Sequence, residues 1–266
     1  MRKKCRKIVK YGLLLGIVLG TNVNTSYGAY TSFVGNGQTV YDEEVDTIEQ
    51  WVAGGGKTIG TTVKAGGAQA IDTDGLAEDT TVNSGGEQRV VGKATGTIVD
   101  AGGTQKVSGT STGATIGGTQ YIYIHGTSTG DTITNGGIQE IDAGGTATGT
   151  IVNTGGMQKV SGSSSGATID GGSQYIYAGG TSTGDSITNS GTQTIYGGGT
   201  ATGGTLSNGG AQVIDLGGTA AGTTINMDGE QRVVGTATGT IVNDGGAQAI
   251  DVGGTATGTT INMGGE

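Results

Sequence analysis

Residues 245–263 read GGAQAIDVGGTATGTTINM. The stretch holds two glycine doublets, a glutamine followed two places later by an isoleucine, a Thr-Ala-Thr triplet and a second isoleucine. Short apolar-alternating stretches bounded by glycine specify strand and turn, not helix. Glycine supplies corners with positive φ at no steric cost. The absence of proline from the whole chain fits, because proline cannot donate to a strand ladder.

Outward from this unit the pattern recurs. The marker glutamines are Gln50, Gln69, Gln88, Gln105, Gln120, Gln139, Gln158, Gln174, Gln193, Gln212, Gln231 and Gln248, and their spacing is nearly constant. QYIYIHGTSTGDTITNGG at Gln120 returns as QYIYAGGTSTGDSITNSG at Gln174, three markers later, as duplication of a multi-unit block would produce. Stacked parallel units of this size predict an all-β fold, a right-handed parallel β-helix (β-solenoid) of about 19-residue coils over residues 50–266. The sequence stops at Gly264-Gly265-Glu266, the start of another unit, and reads as an N-terminal fragment of a longer array.

Composition closes off other classes. Glycine is 60 of 266 residues, about 23% against an average near 7%. Collagen is excluded by the missing proline and the lack of a strict glycine period of three. Plain disorder is excluded by regularly placed isoleucine and valine. One Trp, one Phe and one His leave little for an ordinary enzyme core. The formal net charge of -9 argues against nucleic acid and anionic membrane surfaces.

Positions 1–28 read as a secretory signal peptide: Arg2, Lys3, Lys4, Arg6, Lys7 and Lys10, then the apolar run Leu13 to Leu19, then Ser26-Tyr27-Gly28 before a cleavage point. The run is too short to span a bilayer. Cys5 precedes it, so the exported chain carries no cysteine and no disulfide. Residues 29–49 lack the repeat marker and hold Phe33, Tyr41 and the acidic cluster Asp42, Glu43, Glu44, Asp46 and Glu49. They are expected to form an N-terminal cap, with Trp51 packed beneath it.

The period of two assigns faces. Glutamine and the residue two later share the inner face, so Ile71, Val90, Val107, Ile122, Ile141, Val160, Ile176, Ile195, Ile214, Val233 and Ile250 form one inward ladder. A second is expected from Val82, Ile98, Ile116, Ile133, Ile151, Ile169, Ile187, Leu206, Ile225, Ile241 and Ile261. Residues flanking the first ladder face outward and vary freely. Tyr121, Tyr123, Tyr175, Tyr177 and Tyr196 fall there and are the candidate contact residues, since tyrosine offers a flat apolar face with a polar tip. The hydroxyl triplets, among them Thr110-Ser111-Thr112, Thr127-Ser128-Thr129, Ser163-Ser164-Ser165 and Thr181-Ser182-Thr183, are read as exposed turns. Stacked Thr-x-Thr raises an ice-binding reading, weakened by the glycines that bracket it.

No catalytic residue, metal site or cofactor is read from the sequence. Asp72, Asp142, Asp215 and Asp251 never fall on neighbouring coils, which leaves no carboxylate groove for a polysaccharide-degrading enzyme. The calcium-binding Gly-Gly-x-Gly-x-Asp repeat is absent. His125 has no second histidine or thiol with which to build a site.

The unit GGxQxIxxGGTATGTTIxN, with variants GGEQRVVGKATGTIVDAGG and GGMQKVSGSSSGATIDGG, resembles the passenger repeats of AIDA-type autotransporter adhesins of Gram-negative bacteria over residues 50–266. The resemblance implies a β-helix displayed at the cell surface. It also implies adhesion to a host receptor or glycan, self-association between like passengers, and biofilm formation. It implies O-linked heptose added to repeat serine or threonine by a heptosyltransferase, with Ser111, Ser128, Ser164 and Ser182 the acceptors expected here. The family's C-terminal outer-membrane barrel is not present in this sequence.

Overall fold

The computed structural model describes residues 32–266, and the signal-peptide reading lies outside them. No helix occurs among the described residues. The described residues wind through 39 short strands that sort into three parallel sheets of 13 strands each, every third strand returning to the same sheet. This is a β-solenoid of 13 coils. At a strand spacing of about 4.8 Å the rod is roughly 60 Å long.

One coil shows the plan. A four-residue strand, β1 (Ile138–Ile141), lies in the first sheet; β2 (Thr146–Thr148) in the second; β3 (Ile151–Asn153) in the third. Register between coils is strict: Gln139 pairs with Gln120 and Gln158, and Ile141 with Ile122 and Val160. The two glycines of a doublet do different work. Gly136 takes φ +81, the left-handed corner, while a Cβ on Gly137 would collide with the carbonyl of Ile116 on the coil below.

Four columns fill the interior. The first sheet supplies the glutamines and the expected apolar ladder, buried from Val34 through Val233. The second supplies small residues, such as Ala94, Ser111, Ser128 and Ala147, which leave room for the glutamine side chains. The third supplies Val45, Val63, Val82, Val99, Ile116, Ile133, Val152, Ile169, Ile187, Leu206, Ile225 and Val242.

This third column corrects the second expected ladder. Ile98, Ile151 and Ile241 point outward, 45%, 41% and 40% exposed, and Val99, Val152 and Val242 take their places inside. Ile116 pairs with Val99 and Ile133 with Val152. In each of these units isoleucine and valine are adjacent, and the Gly-Thr corner delivers the third residue after glycine, not the second, to the interior. Ile250 and Ile261, on the last coil, are 54% and 58% exposed.

From residue 32 onward, the segment expected as a non-repeat cap is itself a coil. Strands Ser32–Val34, Thr39–Tyr41 and Glu44–Val45 each pair in register with the next coil, with Ser32 at the glutamine position. Glu43 starts the polar column by accepting from Gln50 Nε2 at 2.8 Å and from Ser32 Oγ at 2.9 Å. Phe33 packs edge-on against Trp51, ring centroids 6.3 Å apart.

The corrected register has a direct check. Val152→Ala should cost about 2 kcal/mol through lost burial and a cavity, whereas Ile151→Thr should change stability by less than about 0.5 kcal/mol, both read from denaturation midpoints.

Candidate functional site

The interior polar column is continuous. Each glutamine Nε2 donates to the Oε1 of the glutamine one coil below, from Gln69 to Gln248, over distances of 2.5 to 2.8 Å. Side hydroxyls donate to the same oxygens: Thr80 to Gln69 at 3.1 Å, Thr150 to Gln139 at 3.3 Å, Thr223 to Gln212 at 3.2 Å. Among the described residues, the Thr61 hydroxyl is the one buried side-chain polar atom without a partner.

Two carboxylates sit inside this column. Asp131 and Asp185 are 0% and 3% exposed. Asp131 accepts from the Ala114 backbone N–H, Gln120 Nε2 and Gln139 Nε2 at 2.8, 2.8 and 3.2 Å, and from the Ser128 hydroxyl. Asp185 repeats the arrangement with Ala167, Gln193 and Ser182. Burial pushes both carboxyls above the usual range, and the hydrogen bonds offset part of that rise. These two acids escape a reading of the sequence because they occupy a corner position, outside the alternating strand pattern, that is threonine in most coils. The available signal was co-variation: aspartate replaces the usual threonine only in the two units whose triplet centre is serine and whose preceding unit has Gly-Ala at that corner.

The same geometry corrects the expected sugar acceptors. Ser111, Ser128, Ser164 and Ser182 are 1%, 1%, 3% and 1% exposed. The triplets are strands rather than turns, so their central residue faces inward and their flanking residues face water. Ser111 and Ser164 donate to Gln105 and Gln158. A sugar on any of the four has no space.

The outer faces are segregated by chemistry. On the second sheet two columns of hydroxyls run parallel to the axis. One holds Thr110, Thr127, Thr146, Ser163, Thr181, Thr200, Thr219, Thr236 and Thr255 in register. The other, from Thr112 to Thr257, is broken only by Ala221. Neither column carries a charge over this span.

The first sheet carries the opposite inventory. Phe33, Trp51, Tyr121, Tyr123, Tyr175, Tyr177 and Tyr196 stand on its outer face or just past its strand ends; of the described aromatics only Tyr41 lies elsewhere. The tyrosines stack on one another. Tyr121 and Tyr123 are 6.1 Å apart between centroids, Tyr175 and Tyr196 6.2 Å, Tyr177 and Tyr196 5.2 Å. Beside them on the same sheet lie cross-coil ion pairs, Lys106–Glu87 before Tyr121 and Lys159–Glu140 between Tyr121 and Tyr175, each at 2.6 Å, which hold both ammonium groups above the ordinary lysine range. Asp72, Asp142, Asp215 and Asp251 share this face, with at least one coil between any two. His125 occupies an exposed corner with φ +68.

A crystal structure of a TibC-catalyzed hyper-glycosylated TibA fragment matches this chain at 34% sequence identity and a TM-score of 0.85, over 88% of this chain and 89% of that one. The chain belongs to the AIDA-type autotransporter adhesin passengers. No family model and no curated protein matches it. The resemblance seen in the repeat units is thus met by a relative that is a glycosylated adhesin passenger fragment, and the passenger class implies surface or extracellular display.

The buried carboxyls of this passenger give a pH prediction. Their folded pKa lies above the ordinary carboxylate value, so the stability they contribute is present below about pH 4 and lost as pH rises through the folded pKa. Replacing both in Asp131→Asn/Asp185→Asn removes that slope. The thermal midpoint of wild type minus that of the variant should therefore fall as pH rises above about 4.

Proposed function

We propose that this passenger is an O-glycosylated surface adhesin that mediates adhesion to host cells, autoaggregation and biofilm formation, and that it has no catalytic role. The observation that carries the reading is the pair of uncharged hydroxyl columns along the second sheet, on a rod homologous to a hyper-glycosylated passenger fragment. The flanking hydroxyls of the Thr127–Thr129 and Thr181–Thr183 strands are exposed. The acceptors are the outward flanks of the triplets, such as Thr127, Thr129, Thr181 and Thr183, and the modification is heptose added by a heptosyltransferase before export. Contact with like passengers or with a host receptor or glycan falls to the first-sheet face, with Tyr121, Tyr123, Tyr175, Tyr177 and Tyr196 as contact residues. Many weak contacts spaced along a rod add up through effective concentration.

A second reading draws on the same columns. The triplets are three-residue strands, not turns as the sequence suggested, so an unmodified rod also presents a regular Thr-x-Thr array of the kind an ice-binding solenoid needs. Thermal hysteresis of the unmodified protein tests it.

The adhesin reading is tested by display of the passenger on a non-aggregating Gram-negative host with and without a heptosyltransferase, followed by peptide mapping. Displaying cells should settle as aggregates, and heptose increments should map to Thr127, Thr129, Thr181 or Thr183. Dispersed cells would overturn the adhesin reading. Heptose on Ser128 or Ser182 would overturn the acceptor assignment.

A further inference from the structure

Trp51, Ala70 and Arg89 are register neighbours on the outer face of the first sheet. Ala70 is the small member between two long ones. The step it makes is a depression of about 250 Å³, lined also by Glu49, Asp72 and Val91. One wall is an indole, with Phe33 packed on its other axial side. The floor is apolar, from Ala70 and Val91.

The polar groups at the rim are held in place. Arg89 reaches back to the Glu49 carboxylate two coils away, in the register column of Ala68, and also contacts Glu87 at 3.3 Å. Those two contacts leave guanidinium donors over, since the group carries five. Asp72 Oδ1 accepts the Thr73 backbone N–H at 2.8 Å, which orients the carboxylate and leaves its second oxygen to accept. An aromatic wall, an apolar floor, a fixed donor and a fixed acceptor are the elements that recognise a polyhydroxylated ring, which stacks its C–H face and exchanges hydrogen bonds at its edge.

We propose that this depression is a saccharide-binding subsite for a single neutral pyranose. Its volume falls below that of sites for drug-sized ligands, so it takes one ring. Glu49, Asp72 and Glu87 outnumber Arg89, so sugars carrying a carboxylate are repelled. Pre-positioned Arg89 and Asp72 keep the ordering cost of binding low. The proposal deepens the adhesin reading by naming the glycan chemistry of one contact point, and it rests on that reading only for its biological use.

Trp51 is the only tryptophan in the chain, so its emission reports on this site alone. Titration of the purified passenger with methyl hexopyranosides and short neutral oligosaccharides should give a saturable emission change with a millimolar dissociation constant, the strength expected for about twelve heavy atoms at modest ligand efficiency. Sialic and uronic acids should bind at least tenfold more weakly. Ala70→Leu fills the step at a row position where Val213 already stands, so it should keep the thermal midpoint and weaken the response at least tenfold. No saturable change with any neutral sugar, preference for the acidic sugars, or an unchanged response in Ala70→Leu would overturn the proposal. These are measurements on purified protein without cells, so their failure leaves the aggregation result standing, and dispersed cells leave a positive titration standing.

Discussion

Each buried glutamine must give a hydrogen bond to the coil before it and take one from the coil after it. The rest of the rod depends on that requirement. A buried amide left unpaired costs about 1–3 kcal/mol for each orphaned group. A coil out of register would strand two such groups at once. The column therefore holds every coil in axial alignment, from the Glu43 acceptor below Gln50 to Gln248. Small inward residues on the second sheet exist to give the amides room, and the two apolar columns supply the dry wall that makes an unpaired amide costly.

Alignment of the interior fixes the exterior. Because side chains alternate, in-register glutamines force in-register outward residues, and each outward column becomes a line along the axis. That is how a chain with 13% charged and 4% aromatic residues builds one face of uncharged hydroxyls and another of aromatics and ion pairs. Neither face needs a pocket-forming fold. Asp131 and Asp185 break the monotony of the interior. A carboxylate that accepts from an alanine N–H on the coil below and from a serine and glutamine of the column fits a coil with Gly-Ala at that corner, and thereby distinguishes such coils from those with Gly-Thr.

Glutamine, glycine doublets and the first apolar ladder were legible in the sequence because each repeats at a fixed offset and obeys the period of two. Ile98, Ile151 and Ile241 were misplaced because each sits beside a valine of equal strand propensity, so hydrophobicity cannot choose between them; only the corner geometry does. Ser111, Ser128, Ser164 and Ser182 were misplaced because a three-residue strand between glycines resembles a turn in composition. Residues 32–49 escaped the repeat because Ser32 replaces the marker glutamine, although Val34 and Val45 keep the apolar columns. The step at Ala70 is invisible in one dimension, since it exists only once Trp51 and Arg89 are stacked on either side.

The most direct test of this account is hydrogen exchange of the glutamine side-chain amides, followed by NMR on protein labelled at glutamine. The account predicts that the Nε2 protons of the column from Gln69 to Gln231 exchange as slowly as backbone amides in the middle of the three sheets, because both open only when coils separate. Side-chain amides that exchange at the rate of free glutamine while the backbone stays protected would contradict it.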